Sequence, residues 1–112
     1  MAEELQAISI DKDDVPYEFD IELGGTMYTF LVKYNDLMDV FTVDLFKEDG
    51  APLVYGEPLI YGRPLFDALS SVELPSVQLI PFDVADKEDR VSYDNMNETV
   101  FLYVIEGGTE NE

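Results

Sequence analysis

Carboxylates are the most abundant side chains in this sequence that could take part in chemistry. Asp and Glu number 25, whereas histidine and cysteine are both absent. Nucleophilic catalysis of the Ser-His or Cys-His kind therefore lacks its base or its thiol. A hydrolase built on two carboxylates needs only acidic residues on either side of a cleft. With so many acids, some pair lies at a suitable distance by chance, so we expect no enzymatic activity and no catalytic residues.

Two acidic stretches could offer oxygen ligands to Ca²⁺. They are DKDD at Asp11 to Asp14 and DVADKEDR at Asp83 to Arg90. Neither has the EF-hand spacing of glycine at the sixth loop position and glutamate at the twelfth. Charge runs in loops usually serve solubility. We therefore predict solvated loops with no metal site and no cofactor, and keep Ca²⁺ binding by these loops as the alternative.

The net charge limits the classes of partner. Lys and Arg total 6, so the formal net charge is −19 at pH 7. Nucleic-acid binding depends largely on Lys and Arg, and the same negative charge repels anionic membranes, so we expect neither partner. No apolar run approaches the roughly 20 residues of a membrane-spanning helix. The start, MAEELQAISIDKDD, lacks the regions of a signal peptide, which predicts a soluble protein made in a cytoplasm.

The length and composition predict one folded domain. The chain has 112 residues, of which 46% are hydrophobic and 12% aromatic. That is enough for a single core and too little for two. We predict an acidic N-terminal arm at residues 1–15, a single β domain at 16–105 and a flexible C-terminal tail at 106–112. Ala7, Ile8 and Ile10 could add a short edge strand within the arm.

Alternating apolar residues predict three strands in a meander. YEFDIEL, from Tyr17 to Leu23, has one apolar and one acidic face, and Gly24 and Gly25 then favour a tight hairpin turn. TMYTFLVKY and VFTVDLF continue the pattern, with Gly50 closing the turn after the latter. In VFTVDLF the alternation places Asp44 on the face opposite the apolar one.

Prolines and glycines punctuate the middle of the chain. PLVYG begins at Pro52 and PLIYG at Pro58. Because proline cannot donate to a sheet ladder, we predict two short extended pieces, each begun by proline and ended by glycine, with a bend at Gly56–Pro58 between them. PLFDALSSV follows, and Pro64 suits a first helical position, so we predict one short helix near residues 64–71.

Two later runs complete the predicted sheet. SVQLIPFDV indicates a strand, and TVFLYVI, from Thr99 to Ile105, is so continuously apolar that we place it centrally in a sheet, buried on both faces. The fold class predicted is mainly β: a single small antiparallel β-barrel or sandwich with one short helix near residues 64–71.

The chain is rich in tyrosine, which is favoured at protein interfaces. Six tyrosines are more than a small core hides easily: Tyr28, Tyr34, Tyr55, Tyr61, Tyr93 and Tyr103. The candidate contacts with another subunit are Tyr55, Tyr61 and Phe66. The alternative is that most tyrosines cap the ends of the barrel or sandwich.

Three longer phrases occur in a distinctive order. They are FDIELGGTMYTFLV, DLFKEDG and PLVYGEPLIYGRPLF, followed by LYV at Leu102 to Val104. This order resembles the small baseplate plug proteins of contractile-tailed phages, a family first recognised in a cyanophage, over Tyr17 to Ile105. The resemblance implies a mainly β structural protein without catalytic residues, packed among the hub, tube and other baseplate proteins near the tail axis.

The favoured hypothesis is therefore a structural, plug-like component of the tail baseplate of a phage, prophage or tailocin, acting by protein–protein assembly. It would lie in the virion tail baseplate, be made in the cytoplasm of the bacterial host, and could also form a homo-oligomer. The alternative is a small acidic β binding module that recognises a basic protein partner. A carboxylate hydrolase is the third and weakest hypothesis.

Overall fold

The computed structural model of the chain describes residues 6–67 and 74–105, and these ranges contain seven β-strands. Within them no helix forms. The strands are β1 Gln6–Ile8, β2 Tyr17–Leu23, β3 Thr26–Asn35, β4 Val40–Lys47, β5 Pro52–Pro58, β6 Gln78–Phe82 and β7 Phe101–Ile105.

The strands form two antiparallel sheets. One has four strands in the order β2-β3-β4-β5, and the other has three in the order β1-β7-β6. The two sheets are not closed into a barrel, so the architecture is the sandwich of the two predicted alternatives. The mainly β prediction is confirmed.

The meander of the four-stranded sheet follows the predicted turns. Gly24 and Gly25 connect β2 to β3 with φ of 60° and 86°, in the left-handed region that glycine enters without the steric cost of a Cβ atom. The pairing of Leu23 with Thr26 sets the register of this hairpin. The pairing of Asn35 with Val40 sets that of the next, so a four-residue turn joins β3 to β4.

The core lies between the sheets, and alternate residues of β3 and β4 form part of it together with residues of the connecting segments such as Ile10 and Met96. The central inward positions of β3 and β4 are completely buried, as the alternation predicts for a strand with one covered face: Phe30, Val32, Phe41, Val43 and Leu45. Complete burial of a Val, Leu or Phe side chain stabilises the fold by about 1.5–3 kcal/mol. The largest fully buried side chains are Phe30, Phe41, Ile10, Leu45, Leu79, Met96 and Leu102.

The three-stranded sheet places β7 centrally, as its continuous apolar run predicts. β1 pairs with one side of β7 and β6 with the other. The short edge strand expected near the N-terminus therefore forms, and Ile8 and Ile10 are buried. The division into an arm, a domain and a tail stays a prediction, and residues 106–112 lie outside the described residues.

The second proline-glycine phrase, which is predicted to be a short extended piece, leaves the sheet after Pro58 and ends in a turn at Tyr61 and Gly62. β5 ends at Pro58. The Leu59 N–H still donates to the Phe41 carbonyl at 2.9 Å, whereas the Gly62 N–H donates to the Pro81 carbonyl at 2.7 Å. The segment therefore crosses from the four-stranded to the three-stranded sheet, and its hydrogen bonds join the two layers.

The predicted helix near residues 64–71 does not form over its described part. Phe66 has φ of 64°, which no α-helix contains. Its N–H donates to the Glu57 carboxylate at 2.7 Å, and the Leu65 N–H donates to the Leu79 carbonyl at 2.8 Å. Tertiary partners have replaced the bonds of a helix. Residues 68–71 of the prediction lie outside the described residues.

Candidate functional site

A buried carboxylate organises the outer face of the four-stranded sheet, which is the face turned away from the core. Asp44 is only 3% exposed although it lies on this face. Its Oδ1 accepts the Gly56 N–H at 2.7 Å, and its Oδ2 lies 3.0 Å from Lys33 Nζ. A buried charge requires such partners, because an unpaired carboxylate away from water is very costly.

The partner Gly56 lies at an irregularity of the edge strand β5. The register between β4 and β5 shifts between Val43 and Leu45, and Gly56 has φ of 71°. A bulge with glycine at positive φ bends the strand and leaves backbone groups without their ladder partners. The Asp44 side chain takes up one of these groups, the Gly56 N–H. The sheet edge is thus fixed by a side chain instead of the regular ladder.

The bulge presents an aromatic side chain to solvent. Tyr55 is 68% exposed and its ring meets that of Phe46 edge-on, with centroids 6.0 Å apart. Phe46 pairs with Thr29, so Met27 and Leu31 are its diagonal neighbours on the same face. We call these four side chains, Met27, Leu31, Phe46 and Tyr55, the outer aromatic patch.

A row of carboxylates borders the outer aromatic patch along β2. Glu18, Asp20 and Glu22 are all exposed on this face. They pair in register with Leu31, Thr29 and Met27 of β3. Apolar and aromatic area beside an acidic border suits a protein surface that offers apolar groups together with Lys or Arg.

The three residues predicted to contact another subunit differ in exposure. Tyr55 is open on the outer face, whereas Phe66 is 7% exposed and belongs to the core. Tyr61 packs against the core, and its hydroxyl accepts the Asp83 N–H at 3.0 Å. Contact with another subunit stays a prediction for all three residues, and Tyr55 is the one whose ring is open for it.

A second polar cluster lies where β3 ends. One oxygen of Asp39, Oδ1, accepts the Tyr34 hydroxyl at 2.7 Å and the Tyr93 N–H at 2.8 Å, and Oδ2 lies 3.1 Å from Arg90. The Tyr34 hydroxyl, the Tyr93 N–H and Arg90 hold the pKa of the Asp39 carboxyl below its usual value. The same hydrogen bond raises the pKa of Tyr34 to about 12. Neither group changes protonation near neutral pH, so the cluster suits a contact that stabilises the fold better than a general acid or base.

The first acidic stretch is tied to the same end of the sandwich. The Lys12 ammonium donates to the carbonyls of Tyr93 and Asp94 at 2.8 and 3.2 Å, and lies 5.1 Å from the Tyr93 ring centroid. The Tyr93 hydroxyl donates to Asp13 at 2.7 Å, which raises the pKa of Tyr93. These contacts connect the N-terminal segment to the loop before β7.

The second acidic stretch uses its first carboxylate to hold a turn. Asp83 accepts the backbone N–H groups of Ala85, Lys87 and Glu88 at 2.9–3.2 Å, and these bonds, with that of Lys87 the largest, lower the pKa of Asp83. Across residues 6–67 and 74–105, no group of three or more acidic side chains is placed to hold a metal ion. The absence of a metal site and the alternative of Ca²⁺ binding both stay predictions. No segment of those ranges forms a helix that could span a membrane.

The sequence does not predict the burial of Asp44, the hydrogen bonds of Asp39 or the exposure of Leu37 and Met38. Alternation placed Asp44 on the outer face correctly, but its burial depends on the bulge in a strand distant in sequence. Leu37 and Met38 stand between β3 and β4 and are 93% and 67% exposed. Two large apolar residues inside a polar turn were the available signal.

A comparison with protein families accounts for almost the whole chain. The model of the family described as cyanophage baseplate Pam3 plug gp18 matches residues 5–107. No individual curated protein matches the sequence. The matched range contains every strand of both sheets, and it confirms the resemblance carried by the three phrases of the sequence. The chain therefore belongs to the cyanophage baseplate plug family.

Proposed function

We propose that the chain is a structural subunit of the tail baseplate of a phage, prophage or tailocin, working as a plug-like part through protein–protein contacts. The family match over residues 5–107 carries this proposal. The subunit would be made in the cytoplasm of the bacterial host and packed against hub and tube proteins. Its action would be assembly and sealing, with no turnover.

The outer aromatic patch is the contact face that we propose for this role. Tyr55 and Phe46 offer aromatic area, and aromatic side chains dominate the energetics of protein interfaces. The bonds from Asp44 to Gly56 and Lys33 fix the strand that carries Tyr55, so little order has to be gained on binding. A stable contact buries about 800 Å² of surface on each of the two proteins. Four side chains do not supply that area on this chain, so the contact would also include the acidic residues beside the outer aromatic patch.

An acidic binding module that recognises a basic protein partner is the second candidate function. The observation that favours it is the exposed row of Glu18, Asp20 and Glu22 beside the patch. Both candidates use the same face. They differ in whether the partner is a tail protein.

Electron cryo-microscopy of purified particles tests the baseplate role directly. We expect density for the two-sheet sandwich near the tail axis at the baseplate. Particles that contain every other tail protein, but neither this density nor peptides of the chain, would contradict the proposal. Binding of the chain to a basic non-tail protein that is lost at high salt would then favour the second candidate.

Substitution of Tyr55 tests the contact face. Tyr55→Ser removes the exposed ring and should reduce the amount of chain per purified particle. Tyr55→Phe is the matched control, because it keeps the aromatic area and removes only the hydroxyl. Equal incorporation of the serine variant and the wild type would show that the patch is not the contact face, while leaving the baseplate role in place.

A further inference from the structure

The turn between β3 and β4 displays two large apolar side chains to solvent. It spans residues 36–39, and we call it the β3–β4 tip. Leu37 is 93% exposed and Met38 is 67% exposed. Single exposed apolar residues are ordinary on protein surfaces, but an adjacent pair at the end of a hairpin forms a projecting knob.

The base of the β3–β4 tip is rigidly built. The Asn35 side-chain oxygen accepts the N–H groups of Leu37 and Met38 at 3.0 and 3.1 Å. Asp39 has φ of 56°, an uncommon backbone conformation for a residue other than glycine. The bonds of its carboxylate to Tyr34, Tyr93 and Arg90 hold this conformation.

The contrast between a fixed base and an uncovered end indicates binding. Hydrogen bonds from Asn and Asp side chains are ordinary in a turn that connects two strands, but an exposed pair of large apolar side chains is not needed there. A loop ordered beforehand loses less conformational entropy when it enters a partner, so its apolar area contributes more fully to affinity. The tip is therefore shaped as a knob for an apolar pocket.

The charges around the tip indicate what surrounds that pocket. Asp36 is exposed within the turn. Asp36 and Asp94 act electrostatically on the Tyr34 hydroxyl, and Asp13 accepts the Tyr93 hydroxyl, so these carboxylates share this end of the sandwich. The nearby cations Lys12 and Arg90 are already bonded to groups of the chain itself. A second copy would bring two chains of net charge −19 together here, which opposes self-association through the tip.

We propose that the β3–β4 tip inserts Leu37 and Met38 into an apolar pocket rimmed by Lys or Arg side chains on a different protein subunit of the tail. The inference rests on the proposed baseplate function. It concerns a surface separate from the outer aromatic patch, because the tip is the turn at the end of β3 and the patch lies on the flat face of the sheet.

The test uses phage particles assembled in cells that supply the chain in trans to a genome lacking its gene. The amount of chain per purified particle is measured by quantitative mass spectrometry. The double variant Leu37→Ser/Met38→Ser should be incorporated at least about tenfold less than the wild type, as expected for the loss of a central apolar anchor. Val84→Ser is the matched control, since Val84 is apolar and 63% exposed, and it should remain within about twofold of the wild type.

Two further variants separate apolar contact and charge from folding. Leu37→Met/Met38→Leu keeps the apolar area and should be incorporated like the wild type. Asp36→Lys reverses a charge that would face the basic rim, and should lower incorporation by a smaller factor than the double serine variant. Thermal unfolding of each purified variant should match the wild type, because the substituted side chains are exposed. If the double serine variant unfolds at a lower temperature than the wild type, its loss of incorporation could reflect folding, and the Asp36→Lys variant becomes the test. Incorporation of Asp36→Lys at the wild-type level would then overturn the inference.

The outcomes that reject the inference differ from those that reject the function. A folded double serine variant that enters particles as well as the wild type would overturn the proposed insertion while the baseplate role stands. Equal losses for the double variant and Val84→Ser would also overturn it, because apolarity anywhere on the surface would then explain incorporation. Particles that lack the wild-type chain would end the proposed function, and the inference with it, before any variant is compared.

Discussion

The two faces of β4 both contain buried side chains, but the burial has a different physical basis on each face. On the inner face, Phe41, Val43 and Leu45 are completely buried among apolar side chains. On the outer face, Asp44 is also buried, but only because Lys33 and the Gly56 N–H satisfy its carboxylate. The inner face holds the sandwich together by area removed from water. The outer face uses a charge to fix a bulge, and the bulge leaves an aromatic ring exposed.

The inner face should carry the largest effect on stability. Phe41 is fully buried, and its ring lies 4.7 Å from that of Tyr34 and 6.2 Å from that of Tyr93. Phe41→Ala should lower the free energy of unfolding by about 3–5 kcal/mol, through lost burial and the cavity left behind. Urea denaturation measures the change. Phe46→Ala on the outer face is the matched control and should cost much less, so equal losses would mean that the two faces do not differ as described.

The outer face should depend on Asp44 more than on its cation. Asp44→Ala leaves the Gly56 N–H without its acceptor in a partly covered position, and should lower the free energy of unfolding by about 2 kcal/mol. Lys33 is half exposed, with 50% of its side chain accessible. Lys33→Gln removes the cation but still offers an amide donor to the buried Asp44 carboxylate, so it should cost less than Asp44→Ala, about 1 kcal/mol. A larger loss from Lys33→Gln than from Asp44→Ala would show that the ion pair, and not the bulge, is what the buried carboxylate serves.

Sequence alone predicted the inner face and much less of the outer one. Alternation along β3 and β4 depends only on neighbours in the chain, so the inward positions Phe30, Val32, Phe41 and Val43 follow from periodicity. The burial of Asp44 depends on Gly56, twelve residues later, and the residues next to Asp44 do not indicate that partner. Tyr55 was among the predicted contact residues because of its type. Phe66 was predicted in a short helix, but distant partners, Glu57 and Leu79, took the hydrogen bonds of that segment.

Tyr34 lies at the end of the inner face and carries a phenol that is hydrogen-bonded to Asp39. The stability contributed by this pair should depend on pH, whereas that of the apolar core should not. The folded pKa of Tyr34 is raised to about 12 from 10.0, so its contribution to stability is present below pH 10 and is lost as the pH rises towards 12. The folded pKa of Asp39 is lowered from 3.8, so its contribution is present above pH 4 and is lost as the pH falls below 3.8.

Tyr34→Phe separates this end from the rest of the core. The variant should be less stable than the wild type at pH 7, because the Asp39 carboxylate loses a hydroxyl donor. The difference in unfolding free energy should narrow above pH 10, and the ultraviolet titration of tyrosinate should lose one late step. A difference that stays constant up to pH 12 would mean that the hydroxyl of Tyr34 does not stabilise the fold through Asp39.

The smallest effect on stability should come from the most exposed ring of the outer face. Tyr55 is 68% exposed and touches Phe46 only edge-on, so Tyr55→Ser should change the free energy of unfolding by less than about 0.5 kcal/mol. The same substitution is expected to reduce incorporation into particles. Because the fold would be unchanged, the loss could be assigned to a missing contact between subunits. A loss of more than about 2 kcal/mol in the free energy of unfolding would instead show that Tyr55, like Phe41, holds the sandwich together. The inner faces of β4 and β5 could then no longer be assigned to folding and their outer faces to assembly.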